Sequence, residues 1–372
     1  MRAYFKQGTP AIQNQRQRAI GTPLWHIYQT QKRVKAMIRQ FGKLLNSAYI
    51  GGAMVTVVSM QSATALADTK SADTLKVASS IAPISFLVRQ IGGDAIESHL
   101  ILPANQSAHH TALRPSQTKI IAQSDVIFAI DPLMEGGLAK FMSESPQKWV
   151  LFSQAMADQL TRREDDDDHD DHKGHDEHDD HHDDHKDHDE HDDNDDHHAH
   201  DSFYDYHLFF SPVKMSQMAA VIRDELGKKA PEHKDMFQAN YEGAITMLDA
   251  ASATLSSKLA ATAPNHFIAM HDMSLYLEQD FDIEAVGFVL GHDHGKPSAK
   301  ALRALQETAT RKGAKCIFYE PQIGNRLISQ LAADMDLPMV TLDLLGMSVG
   351  EDDMIDAYWR DVTASFERCL SM

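Results

Sequence analysis

Between Glu164 and Asp201 the chain is almost wholly aspartate, glutamate and histidine, reading EDDDDHDDHKGHDEHDDHHDDHKDHDEHDDNDDHHAHD. Twelve imidazoles lie in it: His169, His172, His175, His178, His181, His182, His185, His188, His191, His197, His198 and His200. Neutral imidazole is the commonest protein ligand for zinc and related ions, and flanking carboxylates add oxygen ligands and negative potential. A tract of this composition reads as metal-collecting. A bare Asp/Glu run would read as a solvated spacer instead, but histidines recurring mostly three apart argue against that. The stretch holds 21 acidic residues and two lysines, which accounts for the whole net charge of −19 of the 372-residue chain. Its only apolar residue is Ala199, so it is expected to be a disordered insert that cannot fold alone.

Three other histidines stand at the ends of expected elements: His109 in LPANQSAHHTALRPS, His207 in DYHLFFSP and His271 in FIAMHDMS. In open parallel sheets, ligands sit beyond the carboxyl ends of strands, where loops converge. One histidine at such a place is commonly a structural hydrogen-bonder. Three of them, after three separate elements and beside a metal-collecting segment, point to a defined site. His292 and His294, in GHDHG, form either an auxiliary site or an exposed loop. No H-E-x-x-H motif accompanies them. A zinc hydrolase with Glu320 or Asp272 as general base is therefore the remote alternative.

The elements that must position these residues alternate in type. Thr74–Ser79, Glu97–Leu102, Asp125–Ile130 and Trp149–Phe152 read as strands, with helices at Ser85–Ile91, Arg114–Gln123 and Leu133–Met142. After the insert come a helix from Ser211 to Leu226 and a longer one from Pro231 to about Leu259. The longer one carries Phe237, Tyr241, Ile245, Leu248 and Leu255 on one side. The alternation then resumes, with strands at His266–Met270, Glu284–Val289, Lys315–Tyr319 and Pro338–Leu342. The helices of that half are Leu275–Phe281, Ser298–Lys312, Arg326–Met335 and Asp352–Cys369. Such alternation implies parallel α/β sheets. The predicted architecture is α/β, with two Rossmann-like domains joined by one long helix. The expected boundaries are a lobe over 68–230 that includes the insert at 164–201, a linking helix over 231–261, and a second lobe over 262–372.

Residues 1–36 are polar, basic and unpatterned, an expected unstructured extension with Met37 a candidate start. MIRQFGKLL, the apolar stretch SAYIGGAMVTVVSM and Ala65-Leu66-Ala67 make 37–67 a secretory signal peptide with cleavage expected after Ala67. That places the mature chain in the periplasm. No cysteine follows the apolar run, so no diacylglyceryl anchor is expected. The acidic balance and the lack of a basic stripe disfavour nucleic acid as a partner. Two cysteines in an exported chain read most economically as one disulfide, with two unpaired buried thiols as the alternative.

Four motifs in this order carry a family resemblance: His109-x-x-x-Leu113-Arg114-Pro115-Ser116, His207-Leu208-x-x-Ser211-Pro212, the His271-Asp272 pair, and Tyr319-Glu320-Pro321-Gln322. With the His/Asp insert just ahead of His207, the chain from about Thr74 onward resembles the periplasmic zinc-binding component of bacterial ABC-type zinc importers, the ZnuA-like family. The resemblance implies zinc held in a cleft between two α/β domains by His109, His207 and His271. Asp343 falls at the position of a fourth ligand in manganese- and zinc-binding relatives, with water in its place in close zinc-specific ones. It also implies a Cys316–Cys369 disulfide, and an inner-membrane permease with its ATPase as partner. The protein would be a monomeric, non-enzymatic carrier of a bare ion, with no organic substrate. Ala108 and Thr111 depart from the family's usual glutamate and aromatic residue flanking the first ligand. Three imidazoles suit zinc better than manganese. The other readings are an importer component for manganese or another divalent ion, and a sequestering or adhesive zinc protein.

Overall fold

The computed structural model describes residues 74–109, 112–163, 204–290, 295, 297–324, 326–350 and 354–371. The insert, the 37–67 segment, Thr111, His292 and His294 lie outside them. The first sheet contains β1 (Leu75–Ser79), β2 (Ile96–Leu100), β3 (Val126–Ala129) and β4 (Trp149–Leu151), all parallel, in the order β2-β1-β3-β4. Every residue of β3 is buried, as a central parallel strand covered on both faces requires. The helices of this half are α1 (Ala82–Gly92), α2 (Pro115–Gln123), α3 (Ala139–Glu144) and the short α4 (Phe152–Ala155). The helix expected from Leu133 starts later, at Ala139, after a 3-10 turn over Gly136–Leu138. Gly136 and Gly137 are poor helix formers, and Glu135 is fastened elsewhere, as described below.

Helix α5 (Pro212–Lys229) opens with Ser211 as N-cap, whose Oγ accepts from Lys214 N at 2.9 Å, and with Pro212 in its first turn. Both are sequence signals for a helix start. Helix α6 (Lys234–Ala260) follows, 27 residues and so about 40 Å long. It packs on α1 and α5 at one end, where Asn240 Nδ2 donates to Ile91 O at 3.0 Å. Phe237, Leu248 and Leu255 are buried as expected, whereas Tyr241 and Ile245 are half-buried.

The second sheet repeats the first topology. Strands β5 (His266–Ala269), β6 (Glu284–Phe288), β7 (Ile317–Tyr319) and β8 (Met339–Thr341) are parallel in the order β6-β5-β7-β8. Its helices are α7 (Leu275–Asp280), α8 (Ala299–Lys312), α9 (Arg326–Met335) and α10 (Ile355–Leu370). Ser298 caps α8, and Gly313 ends it at φ 71°, a left-handed position that glycine adopts without a Cβ penalty. Helix α10 packs along α6 and joins the two halves: Trp359 stacks on Phe210 and its Nε1 donates to Met215 Sδ at 3.2 Å. Cys316, just before β7, and Cys369 in α10 form a buried disulfide with Cα atoms 5.5 Å apart. Among the described residues, no helix is long and apolar enough to cross a membrane.

Candidate metal centre

His109 sits in the loop from β2 to α2. Gln117 fastens both ends of that loop, accepting from Arg114 N at 2.6 Å and donating to Ile101 O at 2.8 Å. Gly136 lies beneath it; a Cβ there would come within 3.3 Å of His109 O, a tight contact. His207 precedes a 3-10 turn, Leu208–Phe210, whose three side chains are all buried. His271 leaves the end of β5 two residues beyond its last position. The three separate elements converge: one ligand atom from each of His109, His207 and His271 lies within 4.8 Å of the others. The ring centroids are 5.1 to 5.5 Å apart. His207 and His271 are each only 4% exposed, and His109 is half-buried.

The acids behind the imidazoles fix which nitrogens face inward. Asp205 Oδ1 accepts from the His207 backbone N at 2.9 Å and lies 2.7 Å from His207 Nδ1. Glu320 Oε1 lies 2.6 Å from His271 Nδ1. The Asp205 bond places the His207 ring proton on Nδ1 and leaves its Nε2 facing inward, the arrangement that orients imidazoles toward a metal, and Glu320 sets a negative charge against the same nitrogen of His271. The two Nε2 atoms stand 3.1 Å apart. At that distance the two nitrogens must share a proton or a metal ion, since two bare lone pairs would repel. For zinc–nitrogen bonds of about 2.0–2.1 Å, two tetrahedral ligands stand about 3.3 Å apart, close to the spacing here.

Electrostatics agree with a cation. Burial disfavours charge on His271, but Glu320, Asp205 and Asp272 outweigh it and raise its affinity for a proton above that of an ordinary imidazole. Burial likewise opposes charge on Asp205, yet His207 and then Arg163 hold its carboxyl below the usual aspartate range. Asp205, Asp272, Glu320 and Arg163 carry a formal −2 between them, matching a divalent ion. The space bounded by the imidazoles, Met134, Phe209, Gln322, Leu344 and Leu345 is about 20 Å³. One water needs roughly 10–15 Å³ of such space, so the space is the size of a single ion. Glu320 and Asp272, the acids a hydrolase would use as base, are engaged by His271 and by Arg163 respectively.

Asp343 is not part of the histidine group. Its Oδ2 accepts from Ser348 N at 2.7 Å and Ser348 Oγ at 3.0 Å, and its Oδ1 from Gln322 Nε2 at 3.4 Å. It closes its own loop, while Gln322 also reaches across to Ala104 O at 2.7 Å. Asp343 thus stands outside the three-imidazole group, with Oδ2 accepting from Ser348 and Oδ1 from Gln322 alone. The orienting role of Asp205 went unread in the sequence, although its position two residues before His207 was a signal. In the sequence Glu320 stands out only within its motif and as a candidate hydrolase base. Its pairing with His271 depends on β5 and β7 being neighbours, which no local pattern reveals.

Two parallel α/β lobes joined by one long helix, with imidazoles from both closing on an ion-sized space, define a solute-binding protein of the metal-binding class. A family model described as the periplasmic component A of a zinc-uptake complex, ZnuA, matches residues 77–367. The chain belongs to that family. It is 32% identical over 302 residues to a high-affinity zinc uptake system protein ZnuA of Brucella suis, covering 78% of this chain and 90% of that one. It is 26% identical to the protein of the same name from Yersinia pestis, covering 79% and 91%. The fold is similar to the crystal structure of a zinc-bound ZnuA deletion mutant, with TM-score 0.62, 19% identity and coverage of 81% and 99%.

Proposed function

We propose that this protein captures Zn2+ in the periplasm and delivers it to the membrane permease of an ABC-type zinc importer, with His109, His207 and His271 as ligands. The observation that carries the reading is the pair of carboxylate-backed imidazoles, from opposite lobes, with Nε2 atoms 3.1 Å apart. Its relatives are named for zinc uptake, and an all-imidazole set favours zinc over manganese, which prefers more oxygen donors. In this reading the signal peptide is removed after Ala67, and the insert raises the local metal concentration and feeds the cleft. The fourth position is left to water rather than to Asp343.

The test is zinc analysis of untagged protein carrying or lacking residues 164–201, with and without His271→Ala. Deleting the insert leaves one tightly held zinc and lowers total zinc bound; adding His271→Ala then removes the remaining ion. Loss of tight binding on deleting the insert alone would contradict the division of labour. Cells lacking the protein grow poorly under zinc starvation if it serves import; unimpaired growth would favour sequestration or adhesion instead.

A further inference from the structure

The root of the insert is built into the site. Arg162 and Tyr204, on either side of it, pair as an antiparallel β-bridge, with the Arg162 guanidinium 5.7 Å from the Tyr204 ring centroid. Asp205 N donates to Thr161 O at 3.0 Å. Tyr276, from the other lobe, donates its hydroxyl to Asp205 O at 2.6 Å and accepts from Thr161 N at 3.1 Å. Arg163, directly before Glu164, turns inward, its side chain only 14% exposed. One of its terminal nitrogens lies 3.1 Å from Asp205 Oδ1 and 3.0 Å from Asp272 O, and its Nε lies 3.3 Å from Asp272 Oδ2.

One guanidinium therefore grips both the acid that orients His207 and the residue that follows His271. The two histidines come from opposite lobes, so this grip spans the cleft from behind the ligands. We propose that Arg163 is a positioning residue for metal capture, holding His207 and His271 at the separation one ion requires by bridging Asp205 to Asp272. The inference rests on the zinc-binding reading above. Its physical basis is the planarity of the group: one terminal guanidinium nitrogen directs its two hydrogens at fixed angles, to Asp205 Oδ1 and to Asp272 O, while the cation lies against the Asp272 carboxylate, a geometry that a freely rotating ammonium does not fix. Asp205 Oδ1 already serves the His207 ring and backbone, and the guanidinium is a third partner on the same oxygen. Among the described residues, Asp205 Oδ2 has no hydrogen-bond partner, so that oxygen holds the orientation no further.

The test uses the full chain loaded with one equivalent of zinc or Co2+ and titrated with a competing chelator. The proteins compared are wild type, Arg163→Gln, Arg163→Lys and Arg163→Gln/Asp272→Asn. Removing a group that orients metal ligands costs about 10- to 100-fold in affinity, and that loss is expected for Arg163→Gln, with an altered visible Co2+ band. Arg163→Lys falls between, because it restores charge without the two-sided grip. The double variant keeps the formal −2 of the site, so the loss persists in it; recovery of wild-type affinity there would assign the effect to charge and overturn the proposal. Wild-type affinity and an unchanged Co2+ band in Arg163→Gln, even with a lowered melting temperature, would make Arg163 merely structural and overturn the proposal. If Arg163→Gln does not fold, Arg163→Lys decides: weakened binding supports the proposal and wild-type binding overturns it. Failure of the wild type itself to hold zinc would sink the zinc reading instead.

Discussion

Replacing Glu135 with glutamine separates the pH dependence of one buried carboxyl from that of the rest of the protein. Glu135 is fully buried at the carboxyl ends of β1 and β3. Its Oε1 meets the Ser80 hydroxyl, and its Oε2 accepts from Ile130 N at 2.9 Å and Asp131 N at 3.1 Å. Burial pushes its pKa from 4.5 up to about 7, against the opposing effect of those hydrogen bonds. The folded protein thus favours the protonated acid more than the unfolded chain does. The associated stability is fully present below about pH 4.5 and is lost as pH rises to about 7. Glutamine mimics the protonated form, with its amide facing Ser80 and its oxygen facing the two backbone N–H groups. By linkage, Glu135→Gln should be more stable than wild type by about 1 kcal/mol at pH 5 and about 3 kcal/mol at pH 8. For a folded unit of about 250 residues, about 3 kcal/mol corresponds to a rise of about 6 °C in melting temperature. Thermal melts of chelator-stripped protein at the two pH values provide the assay, since other titrating groups are common to both proteins. A variant less stable than wild type at pH 8, or a difference that does not grow with pH, would refute the reasoning and mean that Glu135 is held as a stabilised anion.

Other perturbations bear on the frame around the site. The disulfide closes a sequence separation of 53 residues, so the Cys316→Ala/Cys369→Ala double variant should lose about 4 kcal/mol on the chain-entropy account. Its denaturation midpoint should match that of the reduced wild type; an unchanged midpoint would show that the bond contributes nothing. Gly346 adopts φ 68°, and a Cβ there would stand 2.9 Å from Phe86 Cε2 across the two halves. Gly346→Ala should therefore cost about 2 kcal/mol from backbone strain and crowding, read in the same melts.

The alternation of strands and helices was legible in the sequence because each parallel strand is a short apolar run bounded by turn residues. The caps at Ser211 and Ser298 were legible for the same local reason. The three histidines could be found because each follows an element boundary inside a recognisable motif. What joins them was not legible. Glu320 reaches His271 only because β7 pairs with β5, and residues 49 apart in sequence give no sign of that. Arg163 stands directly before the acidic run, and nothing local in the sequence shows that its side chain turns into the protein. Asp343 sits at the matching position of a motif, and its contacts to Ser348 and Gln322 are features of the folded loop that the motif does not show. The late start of α3 comes from Gly136 and Gly137, which let the chain bend under His109 rather than continue as a helix.

The most direct measurement is an anomalous difference map, at the zinc absorption edge, from crystals of the zinc-loaded protein. The account predicts one dominant peak about 2.0–2.1 Å from a nitrogen of each of His109, His207 and His271, with Asp205 and Glu320 still against the opposite ring nitrogens. A dominant peak elsewhere, with these three imidazoles turned away from one another, would contradict it.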